Sequence, residues 1–441
     1  MSATGIHLAP EPSLSGLGSL FRYANHPLLR FEDARSFSER AVAFELFGVH
    51  YLTLFDPELI ESVMITDHAS FSKDPFVRDL EKVLGKGLLN SEGEQWRRQR
   101  KLAAPSFQRS EMAAYADQMT ECAERFVAEL PRDRAFDVHE KMMHLTLDIL
   151  VRTLFGTEIS RASEVEAALD GVMREYSPFR ITLRTALPDW ATAFSRKRIA
   201  RLRHALDAVL LDLIRERKSR RDGRDLLSRL LAASDASGGM SETTLRDETM
   251  TLFLAGHETT ALALTYALRL LALHPEAKAR AVAEVKHVLG ARSPRFDDIP
   301  ALPWVRAVID ETLRLFPPAW AVAREAQHDC LIGDLACPKG TELMIVPWVM
   351  HRDQRWFDQP ELFRPERWLP KADLPRCVYM PFGAGPRVCI GNHFALTEAI
   401  LILATCLARA DFQLAQGPLL RLTPAVTLRP SGPVRMRALP R

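Results

Sequence analysis

The stretch Pro381-Phe-Gly-Ala-Gly-Pro-Arg-Val-Cys-Ile-Gly391 sets one cysteine, Cys389, in a glycine-rich loop directly ahead of a long apolar segment. Phe394, Ala395, Leu396, Ala399, Ile400, Ile402 and Leu403 recur at helical spacing, so Cys389 stands at a helix start. The positive end of a helix dipole favours the thiolate, the form that binds metals or attacks carbon. Gly383 and Gly385 permit backbone angles that other residues avoid, and Gly391 lets a bulky group approach the chain. Arg387 adds a fixed positive charge two residues from the thiol. An ordinary buried cysteine is a small hydrophobe and has no use for such surroundings.

Around this loop the chain has an ordinary globular composition, 47% hydrophobic and 26% charged over 441 residues, enough for one large domain or two to three smaller ones. A net charge of +2 with the signs interspersed, and no long basic arm, argues against nucleic acid as a partner. The cysteines (Cys122, Cys330, Cys337, Cys377, Cys389, Cys406) include no Cys-x-x-Cys pair, which argues against zinc or a redox dithiol and fits a reducing compartment. Met1 to Pro12 has no basic start followed by an apolar core, and no uncharged apolar run reaches the ~18 residues of a membrane span.

Residues 1 to about 30 read as an irregular lead-in. Ala41 to Phe47 and Val49 to Phe55 read as a hairpin around Gly48, and Asp56-Pro57-Glu58 starts a helix reaching about Asp67. Phe71 to Leu89 reads as a long connection. Ser91-Glu92-Gly93-Glu94 has the form of a capping box, opening a helix with Trp96 and Arg100 on one face. From about 110 to 232 the spacing is helical, broken at Pro131, Gly156, Pro178, Pro188 and Gly223, and 234–239 is a flexible loop. Ser241 caps a helix to about Leu273, which at 1.5 Å per residue spans about 50 Å. It is apolar on nearly all sides from Met250 and so crosses the interior, which argues for a single domain. Leu302 to Phe316 is a further helix. Trp320 to Ala323, Leu331 to Leu335 and Glu342 to Val346 are strand-like, and Ala425 to Arg429 with Val434 to Arg437 reads as a C-terminal hairpin.

Two helices carry unusual polar residues. Ala255-Gly-His-Glu-Thr-Thr260 interrupts the apolar helix, where Gly and Thr loosen the hydrogen-bond ladder and a buried carboxylate, Glu258, needs partners. Glu311 and Arg314 lie three apart on a largely apolar helix and can pair.

Together these segments resemble the cytochrome P450 superfamily, the haem-thiolate monooxygenases. The pattern Phe-Gly-x-Gly-x-Arg-x-Cys-x-Gly, met at Phe382, Gly383, Gly385, Arg387, Cys389 and Gly391, is similar to that family's haem-ligand loop. Trp96-x-x-x-Arg100, Ala255-Gly-x-Glu-Thr-Thr260, Glu311-x-x-Arg314 and Pro365-Glu-Arg367 resemble its other segments and follow its order, so the resemblance covers essentially the whole chain. With no N-terminal anchor in view, the chain looks like the soluble bacterial type. Its helix and Pro-Glu-Arg-Trp segments look nearer the fatty-acid-hydroxylase and microsomal-type branch than the camphor-type branch.

The resemblance implies a mainly α fold with small β-sheets, one domain over residues 1–441, and a long central helix crossing the haem. It implies haem b, iron protoporphyrin IX, with Cys389 as the thiolate ligand of the metal. Phe382, Gly383, Arg387 and Gly391 would cradle the cofactor, Trp96, Arg100 and Arg324 would hold its propionates, and Ala255 and Gly256 would leave room for its face. Thr259 would hydrogen-bond dioxygen and a water while Glu258 relays protons. Glu311, Arg314 and Arg367 would form a buried structural network. A thiolate pushes electron density onto the iron and favours O–O cleavage. The expected reaction inserts one oxygen atom from O2 into an apolar substrate, using two electrons and two protons.

Those electrons are expected from a separate ferredoxin or flavodoxin with its reductase, docking near Arg97, Arg98 and Lys101, and the expected location is cytoplasmic. The expected pocket walls are Phe76, Val83, Leu84 and Leu88, with Leu252, Trp320, Ala321 and Val322 nearer the haem. Some fatty-acid hydroxylases of the family carry an arginine in the first hairpin; Phe44 to Phe55 contains none, so a terpenoid or steroid-like substrate stands beside a fatty acid. The rival readings are a haem-thiolate enzyme that uses peroxide or rearranges its substrate, and a non-enzymatic haem sensor.

Overall fold

Helices carry most of the described chain, and short strands gather into small sheets. The structure, a computed structural model, describes residues 7–8, 27–46, 49–157, 162–177, 180, 192–219, 225–235, 240–370, 372–415, 417 and 419–441. Most of the expected lead-in, the turn at Gly48, the breaks at Pro178, Pro188 and Gly223, and loop residues 236–239 lie outside the described residues.

The helices that position the site are α1 (Pro75–Leu84), α2 (Gly93–Ala103), α3 (Arg109–Glu129), α4 (Val138–Leu154), α5 (Ala162–Glu175), α6 (Ala193–Ser219), α7 (Glu242–Leu273), α8 (Pro303–Leu315) and α9 (Asn392–Arg409). Ser241 accepts the Thr244 amide at the start of α7, as its side chain predicts. Helix α7 then packs against α4, α8 and α9, and its Leu, Ala and Phe side chains are buried almost without break from Leu245 to Leu271. A mixed sheet lies to one side, in the order β1 (His7–Leu8), β2 (Ala41–Leu46), β3 (Val49–Leu54), β6 (Glu342–Ile345), β5 (Val322–Ala326), β4 (Phe71–Lys73). Its apolar face forms a second core with Leu52, Leu54, Ile60, Leu343 and Ile345.

Four local readings are corrected. The connection after Phe71 contains β4 and α1; Asp74 accepts the Phe76 amide and Pro75 fills the first helical position, the same start signal as Asp56-Pro57. The capping box does not form: Glu92, not Ser91, stands at the N-cap of α2 without capping it, and its carboxylate accepts the Lys73 amide and pairs with Arg387. Leu331 to Leu335 is a hairpin, Cys330–Ile332 against Leu335–Cys337, because Gly333 takes a positive φ. At the C-terminus β7 (Leu422–Pro424) pairs with β8 (Leu428–Pro430), while Arg435–Pro440 pairs with Ala410–Leu414, so the Pro430-Ser-Gly-Pro433 turn separates two sheets.

Candidate active site

The cysteine loop is closed by its own backbone. The Cys389 amide donates to Phe382 O at 2.8 Å, Gly383 N to Met380 O at 3.0 Å and Val388 N to Gly385 O at 3.0 Å. Gly383 and Gly385 take φ of 75° and 67°, and a Cβ on Gly385 would overlap the Met64 carbonyl, so two of the glycines are sterically required. Helix α9 starts three residues after Cys389, and the Gly391 amide donates to the sulfur. The thiol is exposed by surface area although protein surrounds it, the position of a group on the floor of a cleft. Burial raises its pKa, against the lowering effects of the Gly391 N–H and the Arg100 charge. The cation beside the sulfur is therefore Arg100; Arg387, expected in that role, turns away to Ser91 O at 2.8 Å and to Glu92.

Beneath the loop lies a buried ion pair. Arg314 and Glu311 are fully buried and joined by two bonds of 2.8 Å. Glu311 also accepts from Arg364 N, Arg367 Nε and Trp368 Nε1, so its acceptor sites are filled. Arg314 spends its remaining donors on the carbonyls of His351, Pro360 and Leu362. His351 was not legible in the sequence. Its Nε2 accepts the Met380 amide at 3.0 Å, which joins the ion pair to the first residue of the loop's closing bonds.

Above the loop, cations converge. The Arg387 guanidinium lies 4.2 Å over the Trp96 ring and that of Arg100 lies 5.8 Å from the same ring. Arg324 is buried on β5, and directly opposite it in the β4–β5 register stands Lys73, also buried. Burial, then the charges of Arg324 and Arg387, lowers the Lys73 pKa to about 7; burial and its cationic neighbours likewise lower Arg387 to about 10. Burial costs these charges more than Glu92 and Asp74 offset, and the cluster fits a group bearing carboxylates. Lys73 carries no local sequence signal, because the strand pairing that sets it opposite Arg324 is non-local.

In α7, Ala255 is exposed and Gly256 and Thr259 are half-buried, while their neighbours are buried. Ala255 and Thr259, four apart, share the open face. The Thr259 hydroxyl donates to Ala255 O at 3.0 Å, which leaves its lone pairs to that face. Next to it, Thr260 faces Glu398 of α9. A Cβ on Gly256 would lie 2.5 Å from Leu150 Cδ1, so its small size also serves the packing of α7 on α4. Glu258 turns from the open face. It accepts from Thr427 and from Arg429 Nε, the latter at 2.5 Å, and Arg429 also bonds Asp170 of α5 at 2.8 Å. Burial works to raise the Glu258 pKa, but the Arg429 charge and these hydrogen bonds hold it below its ordinary value.

Of the expected walls, Val83 and Leu84 are 0% exposed and belong to the core, because α1 turns its apolar stripe inward. Trp320 packs in the sheet core with its Nε1 on Ala425 O. Leu88 and Leu252 keep slight exposure, while Phe76, Ala321 and Val322 are half-buried. Helix α2 turns Gln99 and Ala103 inward and Arg97, Arg98 and Lys101 outward. An arginine does reach the first hairpin, from outside it: Arg30 lies 4.1 Å over Phe44, which stacks on Tyr51 at 4.8 Å.

No three metal-ligating side chains converge among the described residues. The floor thiol, the cation cluster and the open helix face together fit a haem, and the comparisons agree. The family model described as Cytochrome P450 matches residues 8–435. The chain is 37% identical over 397 residues to cyclooctatin synthase of Streptomyces melanosporofaciens, covering 87% of this chain and 85% of that protein. It is 34% identical over 365 residues to cyclooctat-9-en-7-ol 5-monooxygenase of the same organism (80% and 78% covered) and 34% over 360 residues to pentalenene oxygenase of Streptomyces avermitilis (80% of each). The chain belongs to the cytochrome P450 family and has its mainly α fold, and it is a monooxygenase of that family.

Proposed function

We propose that the chain, as one domain, binds haem b through Cys389 and inserts one oxygen atom into a neutral terpenoid-like substrate with electrons from a separate protein. The observation that carries this reading is the convergence of Lys73, Trp96, Arg100, Arg324 and Arg387 beside a single accessible thiol. Cys389 would ligate the iron, with the Gly391 N–H tempering the sulfur, and the cations with the Trp96 N–H would hold the two propionates. Bound haem supplies O2 activation and transfer of one oxygen atom, the balance being R–H, O2, two electrons and two protons to R–OH and water.

Thr259 offers its lone pairs to the open face and so fixes a water or another O–H donor there. Glu258 takes part in proton delivery only when Arg429 releases it, since the ion pair otherwise holds its charge in place. A neutral substrate is favoured because Phe44 to Phe55 carries no arginine to hold a carboxylate; beside Tyr51 stand Glu342 and Asp74, which with burial push its phenol to about 12. The relatives' names point the same way, one being an alkenol oxygenase and another an -ene oxygenase. The exposed Arg97, Arg98 and Lys101 would receive an acidic ferredoxin or flavodoxin. Among the described residues no helix is long and apolar enough to cross a membrane.

The test is spectroscopic. Haem-loaded protein should show the red-shifted thiolate band with carbon monoxide after reduction, and Cys389→Ser should lose it. Cyclic terpene alkenes should shift the ferric spectrum and fatty acids should not; the reverse preference would overturn the substrate assignment. Thr259→Ala should divert electrons from product to peroxide. Fully coupled turnover in that variant would instead favour a peroxide-using or rearranging enzyme.

A further inference from the structure

Between α1 and α2 the chain runs as a loop, 85–92, that lies directly on α7. Gly85 has φ 71°, and a Cβ there would overlap the Asp247 carboxylate; a Cβ on Gly87 would overlap Thr251 Oγ1. Two carboxylates of α7 hold the loop by its backbone. Asp247 Oδ2 accepts the Lys86 amide at 2.8 Å and Glu248 Oε2 accepts the Leu88 amide at 3.1 Å. Arg246 fixes Asp247 from the side at 2.9 Å, and Asn90 and Gln99 take the Gly85 and Lys86 carbonyls at 3.1 and 2.7 Å.

The placement of this contact gives it a use. Glu248, Thr251, Ala255 and Thr259 stand at i, i+3, i+7 and i+11, one stripe of one helix. The loop covers the first half of that stripe, and the second half is the open face. Saturation separates this clasp from a purely structural ion pair. Glu311 has its acceptor sites filled, whereas Glu248 makes one bond and its Oε1 has none, although the residue is 1% exposed. A contact made through single bonds on the Lys86 and Leu88 amides, in a segment with Gly85 and Gly87, can open without breaking the core.

We propose that Asp247 and Glu248 are positioning residues that clasp loop 85–89 shut over the substrate space, so that their carboxylates set entry to the haem and placement of the substrate. The inference rests on the reading that this loop bounds the substrate pocket. In the open state the Lys86 and Leu88 amides turn to water, and both carboxylates become solvated.

The test uses haem-loaded protein, with the carbon-monoxide thiolate band confirming an intact site in each variant. Glu248→Ala and Asp247→Ala are compared with Glu248→Gln, which keeps an acceptor oxygen in reach. Two readouts are taken: trypsin cleavage after Lys86, followed by mass spectrometry, and stopped-flow association of 4-phenylimidazole with the ferric iron. In the alanine variants both rates should rise about tenfold, the factor expected for losing one charge-assisted bond, and Glu248→Gln should restore most of the wild-type behaviour. Unchanged cleavage would overturn the clasp itself. Faster cleavage with unchanged 4-phenylimidazole association would overturn the proposal differently, by showing that the loop opens but does not bound the pocket. A fall in thermal stability with both rates unchanged would leave Asp247 and Glu248 as fold residues only and also overturn it.

Discussion

Arg429 Nε donates to Glu258 Oε1 at 2.5 Å, and through this bond a hairpin at the C-terminal end of the chain holds the one acid of the oxygen segment. The pair is nearly dry: the two side chains are 13% and 2% exposed. Removing one partner of such a pair strands a buried charge. Arg429→Met should therefore destabilise the haem-loaded protein by about 3–5 kcal/mol. Glu258→Gln should cost less, about 1–2 kcal/mol, because Arg429 keeps Asp170. The double variant should recover most of the Arg429→Met loss. Urea unfolding followed by fluorescence measures all three, and strictly additive losses would show that the two side chains do not interact.

A second relationship predicts acid sensitivity. Burial, with the charges of Arg314 and Arg352, lowers the His351 pKa to about 3, against 6.5 for the free side chain. Between these values the unfolded chain binds a proton that the folded one refuses. His351 thus leaves stability intact above about pH 6.5 and erodes it as the pH falls toward 3, by up to about 1.4 kcal/mol per unit. His351→Gln keeps an acceptor for the Met380 amide and removes the titration. Its stability should fall less steeply between pH 6.5 and 4.5, by about one proton's worth, and parallel profiles would show that another group is responsible.

The sequence revealed the site's chemistry better than its wiring. Cys389, Thr259, Arg100 and the Glu311–Arg314 pair lie in local patterns whose spacing carries the meaning, and α7 is long and apolar enough to be read as the interior helix. What stayed hidden depends on contacts far apart in the chain. Lys73 meets Arg324 only through strand pairing, His351 meets Met380 only through a folded meander, and Arg429 meets Glu258 across 171 residues. The expected walls Val83 and Leu84 failed for a related reason: apolar spacing tells which face of α1 is buried but not whether core or pocket covers it.

Helix α2 makes a prediction about electron supply. Its Trp96 and Arg100 serve the cation cluster, and Arg97, Arg98 and Lys101 are exposed. Reversing all three charges should slow reduction by a ferredoxin or flavodoxin by tenfold or more at low salt, with the deficit shrinking as salt screens the wild-type attraction. The carbon-monoxide spectrum should not change. If turnover and its salt dependence both match wild type, docking lies elsewhere.

Lys73 supplies the sharpest test of the cofactor site because its state depends on what it faces. Burial and the charges of Arg324 and Arg387, only partly offset by Glu92 and Asp74, bring its pKa to about 7. Carboxylates delivered by haem would raise it again. Above pH 7 the haem-free protein then has Lys73 neutral and the loaded protein has it charged, so binding takes up a proton and affinity falls as the pH rises. Lys73→Met should release haem to an apoglobin scavenger on the order of tenfold faster at pH 7, the size of one charged hydrogen bond. It should also lose the pH dependence of release between pH 7 and 9. Release as slow as wild type, with that dependence intact, would remove Lys73 from the propionate cluster and leave Arg100, Arg324 and Arg387 to hold the carboxylates alone.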